Sequence, residues 1–463
     1  MTGLEILHTE IPGLLVATLP VHGDERGWFK ENWQRAKMIA AGLPDFGPVQ
    51  HNVSFNAGHV TRGFHAEPWD KLVSVVTGRV FGAWVDLRSG PTFGQVFTTT
   101  IDPSTAVFVP RGVANAYQSL EEGTSYSYLV NDHWSPQAKD GYTFVNLADP
   151  TLAIEWPLPL TETTRSQADL NHPQLAEVTP LAGGRCLVLG AGGQLGRALR
   201  AALPDAEFLT RTDCDLSDPS SLEQVDWSGV DSVINAAAYT AVDRAEQNEG
   251  RREAWTVNVD GVARLVDLAR QHRFILVHVS SDYVFDGAVK EHHEDEPFSP
   301  LGVYGVTKAA GDRIVASLPH HYLIRTSWVV GEGSNFVSTM ADLAGRGICP
   351  QVVDDQYGRL TFAQDLAAGI IHLLQSDAPF GTYNLSNSGP VRSWAQIAAE
   401  IFTLCGRDPA EVTAVSTSTY TKDRDMAPRP RHSALCLDKI ISAGFTPPSA
   451  EERLVEMVGA KKA

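Results

Sequence analysis

The 463-residue chain is longer than one hydrophobic core usually serves, so two or three domains are expected. With 43% hydrophobic and 20% charged residues it has a globular composition, and no run nears the roughly 18 apolar residues that span a bilayer. A net charge of −18 disfavours nucleic acid and anionic membranes as partners, so a phosphate-bearing ligand must be held by local Arg, Lys or helix N-termini.

Met1 to Pro20 lacks the basic segment, apolar run and small-residue cleavage site of a signal peptide, which makes the cytoplasm the expected location. Five cysteines, Cys186, Cys214, Cys349, Cys405 and Cys436, form no C-x-x-C pair, against both a disulfide framework and a zinc knuckle.

In chain order, Glu31 to Ile39 carries the first helical period. Leu72 to Thr77 and Val80 to Trp84 read as two strands joined at Gly78, and Val96 to Ile101, Ala106 to Val109 and Ser125 to Val130 read as further strands between Gly, Pro, Asn and Asp clusters. The first third is therefore expected to be all-β, a sandwich or barrel. Thr161 to Gly184 is rich in Thr, Pro, Asn and Gly without long periodicity, and marks a boundary. Beyond it, strands at Cys186–Leu189, Glu207–Leu209, Val230–Ile234, Phe274–Val279 and Tyr322–Ile324 alternate with helices at Gln194–Leu203 and Trp255–Gln271. Such alternation means βα units on a parallel sheet. The expected domains are 1–172 and 185–463, with 173–184 as linker.

Gly190, Gly193 and Gly196 stand three apart between a buried strand and an amphipathic helix. In that context backbone N–H groups and a helix N-terminus can face a pyrophosphate with no side chain in the way; the bland reading is a tight turn with packing glycines. Arg211, just past the second strand, is placed to meet a ribose 2′-phosphate and favours NADPH, while Asp213 and Asp215 lie where an adenosine-contacting acid belongs. Asn235-Ala-Ala-Ala238 ends a neighbouring strand with residues small enough for a cofactor to pass.

Tyr304 and Lys308 lie one helical turn apart on one face. A phenol with pKa near 10 is a slow acid at neutral pH, and a cation about 4 Å away is worth up to ~4 kcal/mol at an effective dielectric of 20, so Lys308 is expected to lower the Tyr304 pKa. Ser281, after the fourth strand, is expected to hydrogen-bond a substrate carbonyl. An ordinary Tyr–Lys helix pair is the bland alternative.

Gly190-Ala-Gly-Gly-Gln-Leu-Gly196, Asn235-Ala-Ala-Ala-Tyr-Thr-Ala-Val-Asp243, Ser280-Ser-Asp-Tyr-Val-Phe-Asp-Gly287, Tyr304-Gly-Val-Thr-Lys308, Arg325-Thr-Ser-Trp-Val329, Asp354-Asp-Gln-Tyr-Gly358 and Arg429-Pro-Arg431 together resemble the dTDP-4-dehydrorhamnose reductases, extended short-chain dehydrogenases. The resemblance implies a Rossmann-type doubly wound domain with a smaller C-terminal substrate-binding lobe. It implies Ser281 (Thr in most of the family), Tyr304 and Lys308 as catalytic, and Tyr283, Trp328 and Arg429 as substrate contacts. The implied cofactor is NADPH or NADH, held by Gly190, Gly193, Gln194, Leu195, Gly196, Arg211, Asp215, Leu216, Ala236, Ala237, Tyr304 and Lys308, with Mg2+ associated with some members.

Asp24-Glu-Arg-Gly27, Arg62-Gly-Phe-His65, Lys71-Leu-Val73, Pro91-Thr-Phe-Gly94, Val109-Pro-Arg-Gly112, Tyr128, Asp149-Pro-Thr-Leu-Ala-Ile-Glu-Trp-Pro157 and Asp169 resemble the dTDP-4-dehydrorhamnose 3,5-epimerases, which implies a cupin-like jelly roll. A 4-keto sugar has acidic C–H bonds on both carbons beside the ketone, so inversion needs a base on one face and an acid on the other. The resemblance implies His65 as base, Asp169 as its partner, Tyr128 as acid, and Lys71 or Arg62 at the enolate oxygen. Arg26 is implied at the nucleotide phosphates, and Glu31, Gln50, Asn52 and Arg62 as further substrate contacts. Taken alone, a lone His is more often structural, and a Tyr in the alternating Ser125-Tyr-Ser-Tyr-Leu-Val130 is usually core.

Asn115 stands where the family commonly has His, and Trp134 where it has a second Tyr. The leading expectation is a bifunctional homodimeric enzyme making dTDP-L-rhamnose; its rival is a reductase with a non-catalytic sugar-nucleotide-binding or dimerisation β domain. A metal-binding cupin is disfavoured because the His-x-His-plus-Glu set is missing, and no metal ligands are assigned in either half.

Overall fold

The computed structural model describes residues 3–135, 141–181, 184–227, 229–376, 378–422 and 424–460. Its backbone contacts divide the chain into two compact units, Met1–Gly183 and Gly184–Ala463. No helix among the described residues is long and apolar enough to cross a membrane.

The first unit is a jelly roll. One six-stranded sheet runs Glu5–His8, Leu15–Thr18, Thr105–Val109, Lys71–Thr77, Thr124–Val130 and Gln50–Asn56; the other, five-stranded, runs Thr143–Phe144, Thr61–Ala66, Val113–Ser119, Val80–Asp86 and Val96–Ile101. Val73, Val75 and Val107 of the first sheet pack against Val80, Trp84 and Val113 of the second, so the core lies between the sheets. Gly78 is a crossing point rather than a hairpin turn: the strands on either side belong to different sheets. Its φ of +78° suits glycine, and a Cβ there would lie 2.3 Å from the Thr124 hydroxyl.

The Val113–Ser119 strand is buried along its whole length. With neither face in water, the period-2 alternation that marks a half-exposed strand is missing, which is why it does not stand out in the sequence. The helical period at Glu31–Ile39 is realised as Arg35–Ala40, capped by Gln34. The segment expected as a linker is instead part of this unit as far as it is described. Pro173 accepts from the Asn146 amide, Leu181 donates to the Leu87 carbonyl, and Leu175, Val178 and Leu181 pack against Phe64, Val85 and Ala114; apolar residues that find a core cannot act as a free tether.

The second unit is a doubly wound, all-parallel sheet in the order Glu207–Leu209, Arg185–Leu189, Val230–Asn235, Ile275–Ser281, His321–Thr326 and Gly381–Asn384. Leu187, Val233 and Leu276 meet the helix Val262–His272 on one face, and Val188, Ile234 and Val277 meet the helices Gln194–Ala202 and Ala363–Gln375 on the other. The expected Trp255–Gln271 helix starts earlier, at Asn248, and passes through a π-helical turn at Thr256–Gly261, where a Cβ on Gly261 would come within 2.5 Å of the Leu216 carbonyl. A further core joins Met340, Ile397, Ile401 and Leu454 from the helices Phe336–Gly345, Trp394–Leu404 and Ala450–Ala460, forming the smaller C-terminal lobe.

Two candidate active sites

In the first unit, Arg62 and His65 are three residues apart, a spacing that would send them to opposite faces of a regular strand. They line one cavity because the strand carries an extra residue: His65 pairs with Asn115 and Arg62 with Tyr117, three steps against two. Gly63 permits the bulge, since a Cβ there would sit 2.6 Å from the Ala116 Cβ and its φ is +122°.

The cavity, about 180 Å³, is also lined by Ser54, Glu67, Lys71, Tyr117, Tyr126 and Tyr128. Asp169, on the short helix Gln167–Leu170, brings its Oδ1 to 3.1 Å from His65 Nε2. A carboxylate only accepts, so Nε2 donates and Nδ1 carries the imidazole lone pair. His65 and neighbouring hydrogen bonds hold the Asp169 carboxyl below the usual range despite its burial. Lys71 is buried and its ammonium donates to Glu67 at 2.8 Å.

Burial, reinforced by Glu67, pushes Tyr128 up to about 12. The phenol is thus held protonated, the form a proton donor needs. As the strand alternation implies, Tyr126 and Tyr128 share the inward face. Asn115, buried, accepts the Tyr126 hydroxyl at 3.1 Å, and Tyr126 stacks on Tyr117 at 4.0 Å, so Asn115 is tied into an aromatic wall. Gln50 and Asn52 alternate with Ser54 on the cavity side of their strand and hydrogen-bond each other at 2.8 Å. Arg26 and Glu31 do not line this cavity. Arg26 lies on the solvent-exposed hairpin Val21–Asp24/Gly27–Lys30 and pairs with Asp24, and Glu31 pairs with Lys37.

In the second unit two of the three glycines are required by close approaches. A Cβ on Gly190, φ +81°, would lie 2.7 Å from the Ala237 amide nitrogen, and one on Gly196 2.4 Å from the Gly190 carbonyl oxygen. Gly192 has open space on that side, and Gly193 opens the nine-residue helix Gln194–Ala202 without a side-chain cap. This bare, donor-rich cradle fits the pyrophosphate of a dinucleotide. Gln194 is spoken for, accepting the Gly331 amide at 2.7 Å. Leu195 and Leu216 turn their side chains into the cores, leaving only their backbone for a cofactor. Arg211 pairs with Asp215 at 2.9 Å at the end of the second strand.

Ser281 Oγ donates to Asp282 Oδ1 at 3.1 Å, accepts from the Tyr283 amide at 3.2 Å, and lies beside the Tyr304 phenol. Its contact with the phenol works against the burial that raises the Tyr304 pKa. Tyr283 packs edge-on to Tyr304 at 5.5 Å and is flanked by Arg429, which pairs with Asp243 at 2.9 Å. Trp328 stacks on Trp394 at 3.7 Å in the C-terminal lobe.

Lys308 is buried and donates to the Val279 carbonyl at 2.7 Å. The expectation that it lowers the Tyr304 pKa fails in this structure: burial pushes the phenol well above its ordinary value. Burial also pushes Lys308 down to about 8, so the lysine has shed its charge before the phenol would ionise and has no field to lend. Below about 8 the ammonium is present to receive a tyrosinate's charge during turnover; above it that support is lost. The reductase kcat/KM is therefore expected to fall along a basic limb with midpoint near 8, read from NADPH oxidation across pH; a limb near 10 would show that Lys308 keeps its ordinary pKa.

Residues that sequence reasoning passed over include Asp282, buried and pushed up to about 6, and His278, whose Nδ1 lies 3.0 Å from the Asn235 amide and whose Nε2 lies 3.4 Å from Lys308. Both are polar residues at the apolar C-terminal edge of the sheet, which is the signal that would have found them. Glu67, His172 and Tyr117 were passed over in the first unit.

Fold and site define a two-part chain: a jelly roll with a His–Asp pair in a polar cavity, and an extended short-chain dehydrogenase with its Tyr–Lys helix at a glycine cradle. The family described as RmlD substrate binding domain matches residues 184–462, and the family described as dTDP-4-dehydrorhamnose 3,5-epimerase matches residues 8–177. The chain belongs to both families, one in each unit. A Protein RmlC homolog of Streptococcus pyogenes is 57% identical over 177 residues, 37% of this chain and 89% of that protein. A dTDP-4-dehydrorhamnose reductase of Mycobacterium tuberculosis is 37% identical over 275 residues, 57% of this chain and 88% of that one. The crystal structure of a Bacillus anthracis dTDP-4-dehydrorhamnose reductase in complex with NADP is 32% identical, covering 59% of this chain and 96% of that one with a TM-score of 0.54.

Proposed function

We propose that the chain carries out two consecutive steps on one dTDP-linked sugar. The first unit epimerises dTDP-4-dehydro-6-deoxy-glucose at C3 and C5, and the second reduces the C4 ketone with NADPH to give dTDP-L-rhamnose. The observation that carries this reading is the His65–Asp169 pair, 3.1 Å apart, in a cavity shared with Tyr128, on a chain that also sets Ser281 beside Tyr304.

In the epimerase step, His65 Nδ1 takes a proton from a carbon beside the ketone, and Asp169 balances the imidazolium that forms. Lys71 stabilises the enolate oxygen, and Tyr128, kept protonated, returns a proton from the other face. In the reductase, the glycine cradle at Gly190, Gly193 and Gly196 would hold NADPH, which would supply the hydride for C4. Tyr304, with Ser281 beside it, gives its proton to the ketone oxygen, and Lys308 receives the resulting charge.

A homodimer is part of the proposal. Val53 and Phe55 are exposed on the edge strand Gln50–Asn56, as are Trp28 and Phe29 on the hairpin, and a second copy would cover them.

Purified full-length protein given dTDP-4-dehydro-6-deoxy-glucose and NADPH, with no other enzyme, is expected to oxidise NADPH. Consumption only after a separate epimerase is added would reduce the first unit to a binding or dimerisation module.

A further inference from the structure

The epimerase step uses one imidazole beside Asp169, but the structure supplies two. His172, three residues past Asp169, brings its Nε2 to 3.9 Å from the same Oδ1 that His65 Nε2 meets at 3.1 Å. That 3.9 Å gap is too long for a hydrogen bond, so the Asp169–His172 approach is not explained by one. The three donor atoms all lie within 4.8 Å of one another, with Asp169 buried and both imidazoles partly so. Metal–nitrogen and metal–oxygen bonds of about 2.0–2.2 Å place ligand atoms some 3–4 Å apart, so one small ion fits here once the donors draw together by up to about an ångström.

The surroundings favour ligation. Phe144 stacks on the His172 ring at 4.7 Å and meets the His65 ring edge-on at 5.7 Å, walling the donors with apolar surface.

The geometry points to a divalent transition-metal site, with Zn2+ as the fitting ion, made of His65 Nε2, Asp169 Oδ1 and His172 Nε2, whose occupation switches the epimerase off. Two imidazoles and a carboxylate are a donor set that zinc takes readily. Binding replaces the Nε2 proton that His65 now gives to Asp169. The neutral imidazole must then carry its remaining proton on Nδ1, and the lone pair that takes the sugar's proton is gone. That proton transfers from Nε2 to Nδ1 through solvent, so the exchange leaves the charge on the ring unchanged. The site is distinct from a cupin His-x-His-plus-Glu centre, since two of its ligands come from the segment that follows the barrel. The inhibitory consequence rests on the epimerase reading; the binding itself does not.

The test uses the full chain stripped with a chelator. Calorimetric titration with Zn2+ is expected to show one tight equivalent, and Co2+ at the same site a visible d–d band. His172→Gln and Asp169→Asn, each checked for folding by thermal melting, are each expected to weaken that equivalent at least tenfold and abolish the band. One equivalent of Zn2+ is expected to slow solvent deuterium incorporation into the 4-keto sugar at least tenfold, with recovery on adding EDTA, and to leave NADPH oxidation on pre-epimerised sugar unchanged. Equal affinity in wild type and both variants, or full exchange with zinc bound, would overturn the site or its inhibitory role. Metal-free protein that exchanges no deuterium would sink the epimerase reading while the titration still decides the metal site.

Discussion

Tyr304→Phe is expected to lower reductase turnover by about 10²–10⁴-fold, the range for losing a positioned general acid. Hydride reaching C4 leaves an alkoxide that needs a proton at once. The half-buried Tyr304, beside Ser281, is the group placed to give it. Phenylalanine keeps the ring that packs on Tyr283 at 5.5 Å, so the fold should lose only about 1 kcal/mol for the missing hydrogen bond. The measurement is NADPH oxidation with pre-epimerised sugar at saturating cofactor, alongside NADPH binding followed by fluorescence. A large fall in kcat with unchanged cofactor affinity is expected; intact turnover would remove Tyr304 from the chemistry. The burial that raises this phenol also suits the reductive direction, because the acid stays loaded until a stronger base, the alkoxide, forms beside it.

How far the sequence reveals this machinery depends on how local each signal is. The glycine cradle and the Tyr304–Lys308 pair are readable because turn and helix geometry act over three or four residues, and the structure places both as the spacing implies. What spacing cannot reveal is burial. Lys308 beside Tyr304 reads as a pKa-lowering cation, yet desolvation acts on both groups and reverses the direction for the phenol, a three-dimensional effect with no sequence signature.

The jelly roll shows the same limit. Lys71–Thr77 and Val80–Asp86 are legible as strands, but their assignment to opposite sheets follows from Gly78 packing on Thr124, 46 residues away. The His65–Asp169 pair spans 104 residues, and only family resemblance links its members in advance. Likewise, Arg62 and His65 look out of phase until the bulge opposite Asn115 and Tyr117 is known. Leu175 and Leu181 lie in a Thr- and Pro-rich stretch that reads as linker, and only the presence of a waiting apolar surface shows that they are core.

His65→Asn carries the second large effect: solvent deuterium incorporation at C3 and C5 is expected to fall by about 10²–10⁴-fold. Asparagine can still donate an amide N–H towards Asp169, so the partner keeps its hydrogen bond, but no basic nitrogen is left to take the sugar's proton. NADPH oxidation starting from the unepimerised sugar should fall with it, while oxidation of pre-epimerised sugar should be untouched, which separates a lost base from a misfolded chain. Mixing this variant with Tyr304→Phe then tests the coupling itself. Each variant supplies the step the other lacks, and if the intermediate passes through solvent, NADPH oxidation returns with a lag that shortens as protein concentration rises. Reduction would then pull the epimerisation forward by mass action alone. Retained exchange in His65→Asn would place the base elsewhere in the cavity, with the remaining lining groups, Glu67 first among them, as the next to replace.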